Sequence, residues 1–318
     1  MMAQMLTIDL FICTRDRQET LLTHIELLSS SSEASEVRLV IVDNSNLNED
    51  ALVQLRNEVQ KFSSSFRSLE LITSTPGLVY ARNMSIENIK SEIAIFIDDD
   101  VRLPLNFFHR IREIFSQNND IVGCSPLISG LYSTHSKQLR RLIKYFPNLQ
   151  GKITRTSHTF WVDDSATRNF EVQWLPGCCM AYRSEAISDK RFSEALLNGA
   201  LGGYSLGEDV DFSSRVAADG KLICASGIKI FHDLSPINRG NDERMQLAIG
   251  QWRRYAAQNI LGTSQVATLA FEFLHIVISQ IRGKRFSKLA NFRRKGYFSI
   301  RMRIQPQNQG LEELNDSQ

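Results

Sequence analysis

Ile93-Ala94-Ile95-Phe96-Ile97-Asp98-Asp99-Asp100 is the stretch on which the reading of this chain turns. A short run of β-branched and aromatic residues predicts a buried strand. Three carboxylates at its end concentrate negative charge where the chain leaves the sheet. Adjacent like charges raise one another's pKa unless a cation offsets them. A divalent ion that prefers oxygen ligands, Mg²⁺ or Mn²⁺, would do so. A solvated acidic turn is the plainer alternative. Ligands of open α/β sheets bind beyond the carboxyl ends of the strands, which makes the triplet a candidate site.

Upstream, residues 7–13 (TIDLFIC), 37–42 (VRLVIV) and 69–72 read as strands, with helices over 20–28, 52–62 and 79–89. Strand and helix alternating at these spacings predict right-handed βαβ units and a mostly parallel sheet flanked by helices. Downstream, 105–115, 210–218 and 243–260 read as helices, and 121–125, 222–225 and 228–231 as strands. Residues 172–182 (VQWLPGCCMAY) read as a strand broken at Pro176-Gly177. Residues 129–171 are polar and weakly periodic, as expected of a lid or substrate-binding insertion.

With 318 residues, 42% hydrophobic and 23% charged, the chain is neither disordered nor fibrous and can bury a sizeable core. Its 5 cysteines are odd in number and form no Cys-x-x-Cys pair. That argues against a disulfide scaffold or zinc ribbon and for a reducing cytosol. The first apolar run is short and holds Asp9, unlike a signal peptide. The net charge of +2 is unevenly spread: residues 282–303 hold Arg282, Lys284, Arg285, Lys288, Arg293, Arg294, Lys295, Arg301 and Arg303 and no acid. Such a block calls for an anionic partner, lipid or nucleic acid. Before it, residues 263–281 (TSQVATLAFEFLHIVISQI) approach spanning length, but Gln265, Glu272, His275 and Gln280 interrupt them. A Glu in the middle of a bilayer is costly, so an amphipathic or core-packed helix is expected. With the basic block it makes a peripheral anchor to anionic lipid at the cytoplasmic face. The expected organisation is a catalytic region over 1–240, with a donor half to about residue 125 and an acceptor half after it, then a helical basic extension over 241–318.

Five points share one crevice or lead to it: Thr14-Arg15, Asp43, the run Gly77-Leu78-Val79-Tyr80-Ala81-Arg82-Asn83, the triplet, and Gly207-Glu208-Asp209 followed by His232. Together with Val40-Ile41-Val42-Asp43-Asn44-Ser45, Leu175-Pro176-Gly177 and Val210-Asp211-Phe212 with Arg215, their order and spacing resemble the family 2 glycosyltransferases of the glycosyltransferase-A fold over roughly residues 5–235. The resemblance implies a metal-dependent inverting transfer from a nucleotide-diphosphate sugar, a UDP-sugar in the first instance, to a glycan or lipid-linked acceptor in cell-surface polysaccharide synthesis. It implies that Thr14, Arg15, Asp43, Arg82, Asp98 and Asp99 hold the donor nucleotide. Asp98, Asp100 and His232 would hold Mg²⁺ or Mn²⁺. Asp209 would be the general base, and Trp174, Gly177 and Glu208 would face the sugar or acceptor. The chemistry agrees with these roles. A departing diphosphate needs a counter-cation, and an acceptor hydroxyl needs a carboxylate to take its proton.

Structural alternatives stand beside these roles. Asp209 fits a helix N-terminus, Asp43 a turn, Arg82 a surface or salt-bridged position, His232 a hydrogen-bonded structural role, Trp174 a core, and Cys178-Cys179 plain packing. The segment Cys13-Thr14-Arg15-Asp16-Arg17 stands where many members of the family have Pro-Thr-Tyr-Asn, and so lacks an aromatic for the base. Gln251-Trp252-Arg253-Arg254 only superficially echoes the Gln-x-x-Arg-Trp motif of processive synthases, so sugars are expected to be added one at a time. A nucleotidyltransferase of related fold would need a glycine-rich loop after the first strand, and none is present there. A non-catalytic nucleotide- or nucleic-acid-binding protein would not need acids gathered at strand ends; nucleic acid is therefore not an expected partner.

Overall fold

The computed structural model describes residues 5–129, 145–196, 206–233, 242–260, 266–281 and 284–299. Residues 130–144 of the expected insertion, 263–265 of the apolar run, and Arg282, Arg301 and Arg303 of the basic block lie outside the described residues. The first half alternates as expected: β1 (Ile8–Thr14), α1 (Gln18–Ser29), β2 (Val37–Asp43), α2 (Glu49–Gln60), β3 (Ser68–Thr73), α3 (Leu78–Glu87) and β4 (Ile93–Asp98). There follow β5 (Val101–Arg102), α4 (Phe107–Gln117), β6 (Ile121–Ser129), β7 (Phe170–Val172), β8 (Cys179–Arg183), α5 (Glu208–Val216) and β9 (Lys221–His232). Three helices end the described chain: α6 (Asp242–Asn259), α7 (Val266–Ile281) and α8 (Lys284–Ser299).

One sheet runs β3-β2-β1-β4-β8-β6-β9-β5, with β7 also on β9. The β3-β2-β1-β4 block and the β6–β9 pair are parallel, while β8, β5 and β7 join antiparallel. The continuous apolar runs of β1, β2 and β4 arise because both faces are covered. Their alternation divides two cores. Ile8, Leu10, Ile12, Ile93, Ile95 and Ile97 pack with Leu21, Ile25, Leu55, Ile111 and Phe115. Phe11, Phe96 and Ala94 pack on the other face with Val79, Ile86, Tyr182 and Phe212.

Several boundaries differ from expectation for identifiable reasons. Helix α2 begins earlier because Asn48 caps it, its Oδ1 accepting from the Ala51 N–H at 2.9 Å; Glu49 and Asp50 are first-turn acids favoured by the helix dipole. The expected strand over 172–182 is two strands, β7 and β8, separated by the loop that carries Pro176-Gly177. The two short strands at 222–231 are one long β9, whose register jumps between the Pro126–Ala225 and Leu127–Lys229 pairs. The bulge bends β9 so that its last residues reach β5. Asp9 is fully buried and structural: its carboxylate sits 3.0 Å from Arg38 and accepts from the Ser91 hydroxyl at 2.5 Å.

Candidate active site

Parallel register builds the crevice. Thr14 pairs with Asp43, and Cys13 with Asp98, so β1, β2 and β4 end at one level. Strands β2 and β4 lie on opposite sides of β1, which makes this end of the sheet a topological switch point.

The three aspartates diverge. Asp99 turns inward: it accepts from the Thr14 hydroxyl at 2.6 Å and pairs with Arg17 at 2.6 Å. Burial raises its carboxyl to about 6, with Asp100 and Asp98 adding and Thr14 and Arg17 opposing. Arg17 also reaches Asp100 Oδ2 at 2.8 Å. The other oxygen of Asp100 lies 3.0 Å from His232 Nε2, and Asp98 Oδ2 lies 3.8 Å from the same nitrogen. Burial alone would raise Asp100, but His232 and Arg17 pull it down to about 2. His232 arrives through the β5–β9 pairing, Val101 opposite His232, and through the Asp233 N–H donating to the Asp100 carbonyl at 2.9 Å.

Asp98, Asp100 and His232 bring one ligand atom each within 4.8 Å of one another. The Asp100 oxygen that faces His232 at 3.0 Å is buried. Two carboxylates and an imidazole with ligand atoms this close fit a divalent cation.

The facing wall is the start of α5. Gly207 takes φ 82°, turning the chain so that Glu208 and Asp209 open the helix. Asp209 accepts from the Gly177 N–H at 2.8 Å and from its neighbour Val210 N–H at 2.9 Å. Burial raises its carboxyl above the ordinary 3.8, opposed by Arg82. Arg82 joins the walls. It sits 2.7 Å from Glu208, donates to the Gly177 carbonyl at 2.8 Å, lies 3.7 Å from Asp98 and stacks over Phe192. Burial and the adjacent Asp209 push Glu208 up to about 8, against the pull of Arg82.

Asp43 ends β2 with one oxygen bound by the Ser45 hydroxyl at 2.6 Å. Its other oxygen, and Asn44 Oδ1 beside it, are buried acceptors with no donor. Arg15 lies on the rim, half exposed and 3.5 Å from Asp16. Gly177 contributes backbone: its N–H holds Asp209 and its carbonyl holds Arg82. Trp174 is 4% exposed, edge-to-face on Trp161 at 4.9 Å and packed with Val210, Trp252 and Tyr255. That placement makes it core beneath the site, the structural reading that stood beside the sugar-facing role. Cys178 and Cys179 are buried with their thiols pushed up, as packing residues.

Two contributors escaped the sequence reading. Arg17, two residues beyond Arg15, is the counter-ion of the triplet. The signal was a cation in the loop after β1, next to an acid cluster after β4. The second is α6, which closes on α5. The Tyr255 hydroxyl donates to Asp211 Oδ1 at 2.8 Å, and the Trp252 ring covers Gly207 so closely that a Cβ there would lie 2.2 Å from it. Gly207→Ala combines that overlap with left-handed backbone. It should cost roughly 2–5 kcal/mol, read by urea unfolding; a cost under 1 kcal/mol would mean that α6 yields freely.

A half-parallel sheet with acids at the switch point and a buried aspartate on the facing wall defines the glycosyltransferase-A class of nucleotide-sugar enzymes. The chain belongs to glycosyl transferase family 2, whose profile matches residues 9–189, and it is a glycosyltransferase. The match takes in Thr14, Asp43, Arg82 and the triplet and stops before Asp209 and His232. No curated protein matches the sequence. Among solved structures, it resembles the mannosyltransferase PcManGT from Pyrobaculum calidifontis in complex with GDP-Man and Mn²⁺, with TM-score 0.54 and 11% identity over 92% of this chain and 86% of that one. It also resembles GalNAc-T7 with UDP, GalNAc and Mn²⁺, with TM-score 0.53 and 14% identity over 92% of this chain. It spans only 55% of the GalNAc-T7 chain.

Proposed function

We propose that the protein moves a sugar from a nucleotide-diphosphate sugar to one hydroxyl of a glycan or lipid-linked acceptor, with inversion at the anomeric carbon, in cell-surface polysaccharide synthesis. The observation that carries this reading is the Asp98–Asp100–His232 cluster facing, across Arg82, a buried Asp209 of raised pKa. Mn²⁺ or Mg²⁺ in that cluster would take up the charge that develops on the departing diphosphate. The imidazole favours Mn²⁺, since Mg²⁺ prefers an all-oxygen shell, and both structural neighbours were solved with Mn²⁺.

The chain's own residues divide the work. Asp43 and Asn44 offer buried acceptors to donor groups of the nucleotide; an imide N–H such as uracil's satisfies one, in line with a UDP-sugar. Asp209 takes the proton of the acceptor hydroxyl. That oxygen bonds to the anomeric carbon from the face opposite the diphosphate, and the departing bond's electron pair goes to the diphosphate oxygen. A single carboxylate base suffices for this displacement.

Binding can be tested by thermal shift with a panel of nucleotide-diphosphate sugars and Mn²⁺. A true donor at a hundredfold excess over its Kd should add about 2.7 kcal/mol of stability. EDTA or Asp100→Asn should remove that gain. Equal shifts with and without EDTA would reject the metal assignment, and no shift with any sugar nucleotide would reject the donor class.

A further inference from the structure

We infer that α7 and the exposed cations Arg294 and Lys295 of α8 form a docking surface for an anionic lipid bilayer, on which the enzyme lies without crossing it. Helix α7 is inverted relative to an ordinary surface helix. Its polar side faces the protein. Glu272 is buried there between Arg253 of α6 and Arg293 of α8, the latter at 2.9 Å. Thr268, also buried, donates to the Arg155 carbonyl at 3.3 Å. The apolar side faces out: Leu269, Phe273, Leu274, Val277, Ile278 and Ile281 are exposed, Phe273 at 69% and Ile281 at 83%. A row of this kind on a helix face is what a monomeric protein in water avoids.

The chemistry next to the row selects its cover. Ile281 is followed at once by the basic block, and between residues 263 and 303 the sole acid is Glu272, which is spent inside. Arg294 and Lys295 are exposed on α8, whereas Lys288 is paired with Glu243 at 2.6 Å. An uncharged apolar ridge with two cations that pair with no carboxylate among the described residues matches the boundary between acyl chains and anionic headgroups. Among the described residues, no helix is long and apolar enough to cross a membrane, so the ridge lies in the interface plane.

The test uses the full chain and phosphatidylcholine vesicles with and without phosphatidylglycerol. The protein should sediment with the anionic vesicles, less so as salt rises, and stay in solution with phosphatidylcholine alone. F273D/I281D should weaken vesicle binding by at least about tenfold, given the apolar area that would go unburied. R294E/K295E should also weaken it. Neither variant touches the donor site, so donor-dependent thermal shifts should be unchanged. Failure here therefore leaves the proposed transfer standing. If the wild type ignores anionic vesicles, or F273D/I281D binds them equally well, the inference falls. It also falls if the wild type is a dimer that F273D/I281D converts to monomer without any vesicle binding. A second copy would then be the cover.

Discussion

Asp209→Asn should lower kcat by about 10²–10⁴, the usual worth of a positioned general base, while the protein still binds donor. The amide matches the carboxylate in size but not in hydrogen bonding. Both Asp209 oxygens accept backbone N–H groups, from Gly177 and Val210. An Asn has one acceptor oxygen, so its NH₂ must face one of those donors. The variant should therefore also lose about 1–3 kcal/mol of stability, and kinetics belong well below its Tm. The pH profile separates the two effects. Asp209 must be unprotonated to act, and burial holds its pKa above 3.8. Wild-type kcat/KM should fall as pH drops through that raised value, and the residual rate of the variant should lack this acid limb. Near-normal turnover, or an acid limb that survives the substitution, would remove Asp209 from the base role.

The parallel half of the fold is written plainly in the chain. Runs such as residues 39–42 (LVIV) are apolar at every position because helices cover both faces of the strand. A strand so marked also marks its own end, so Thr14, Asp43 and Asp98 could be placed in one crevice before any coordinates. Legibility declines where an outcome depends on partners far away in the chain. That Asp99 turns inward while Asp100 turns toward His232 depends on Thr14 and Arg17 on one side and on the β5–β9 pairing on the other. No local pattern distinguishes three adjacent aspartates. Trp174 reads from the sequence as more often core than platform, and its packing with Trp161, Trp252 and Tyr255 agrees with core. The C-terminal helices read as an appendage, because nothing near Trp252 indicates that its ring closes over Gly207. Glu272 did speak against a membrane span, but for a different reason: it is the inward-facing anchor of α7.

Arg82 is where the two readings of the site part most sharply, and its removal should produce the largest loss of stability. The family resemblance gives Arg82 to the donor, at the base edge or the diphosphate. In the structure the side chain is 3% exposed and already bound to Glu208, to the Gly177 carbonyl and near Asp98. It serves as a strut holding the metal wall to the base wall. Arg82→Ala would leave Glu208 and Asp209 buried with no cation, which should cost about 3–5 kcal/mol by denaturant unfolding. Both carboxyls already titrate above their ordinary values, and losing Arg82 raises them further. The folded state then holds protons that the unfolded state releases, so the deficit should be full at high pH and shrink as pH falls toward the ordinary carboxylate range. Adding Glu208→Gln should return part of the loss, because the uncompensated charge is what costs; a double-mutant cycle gives the coupling. Arg82→Lys should fall between, since an ammonium cannot serve Glu208 and the Gly177 carbonyl with a planar fork. If Arg82→Ala keeps its stability and loses only donor affinity, the strut is wrong, and the guanidinium belongs to the nucleotide.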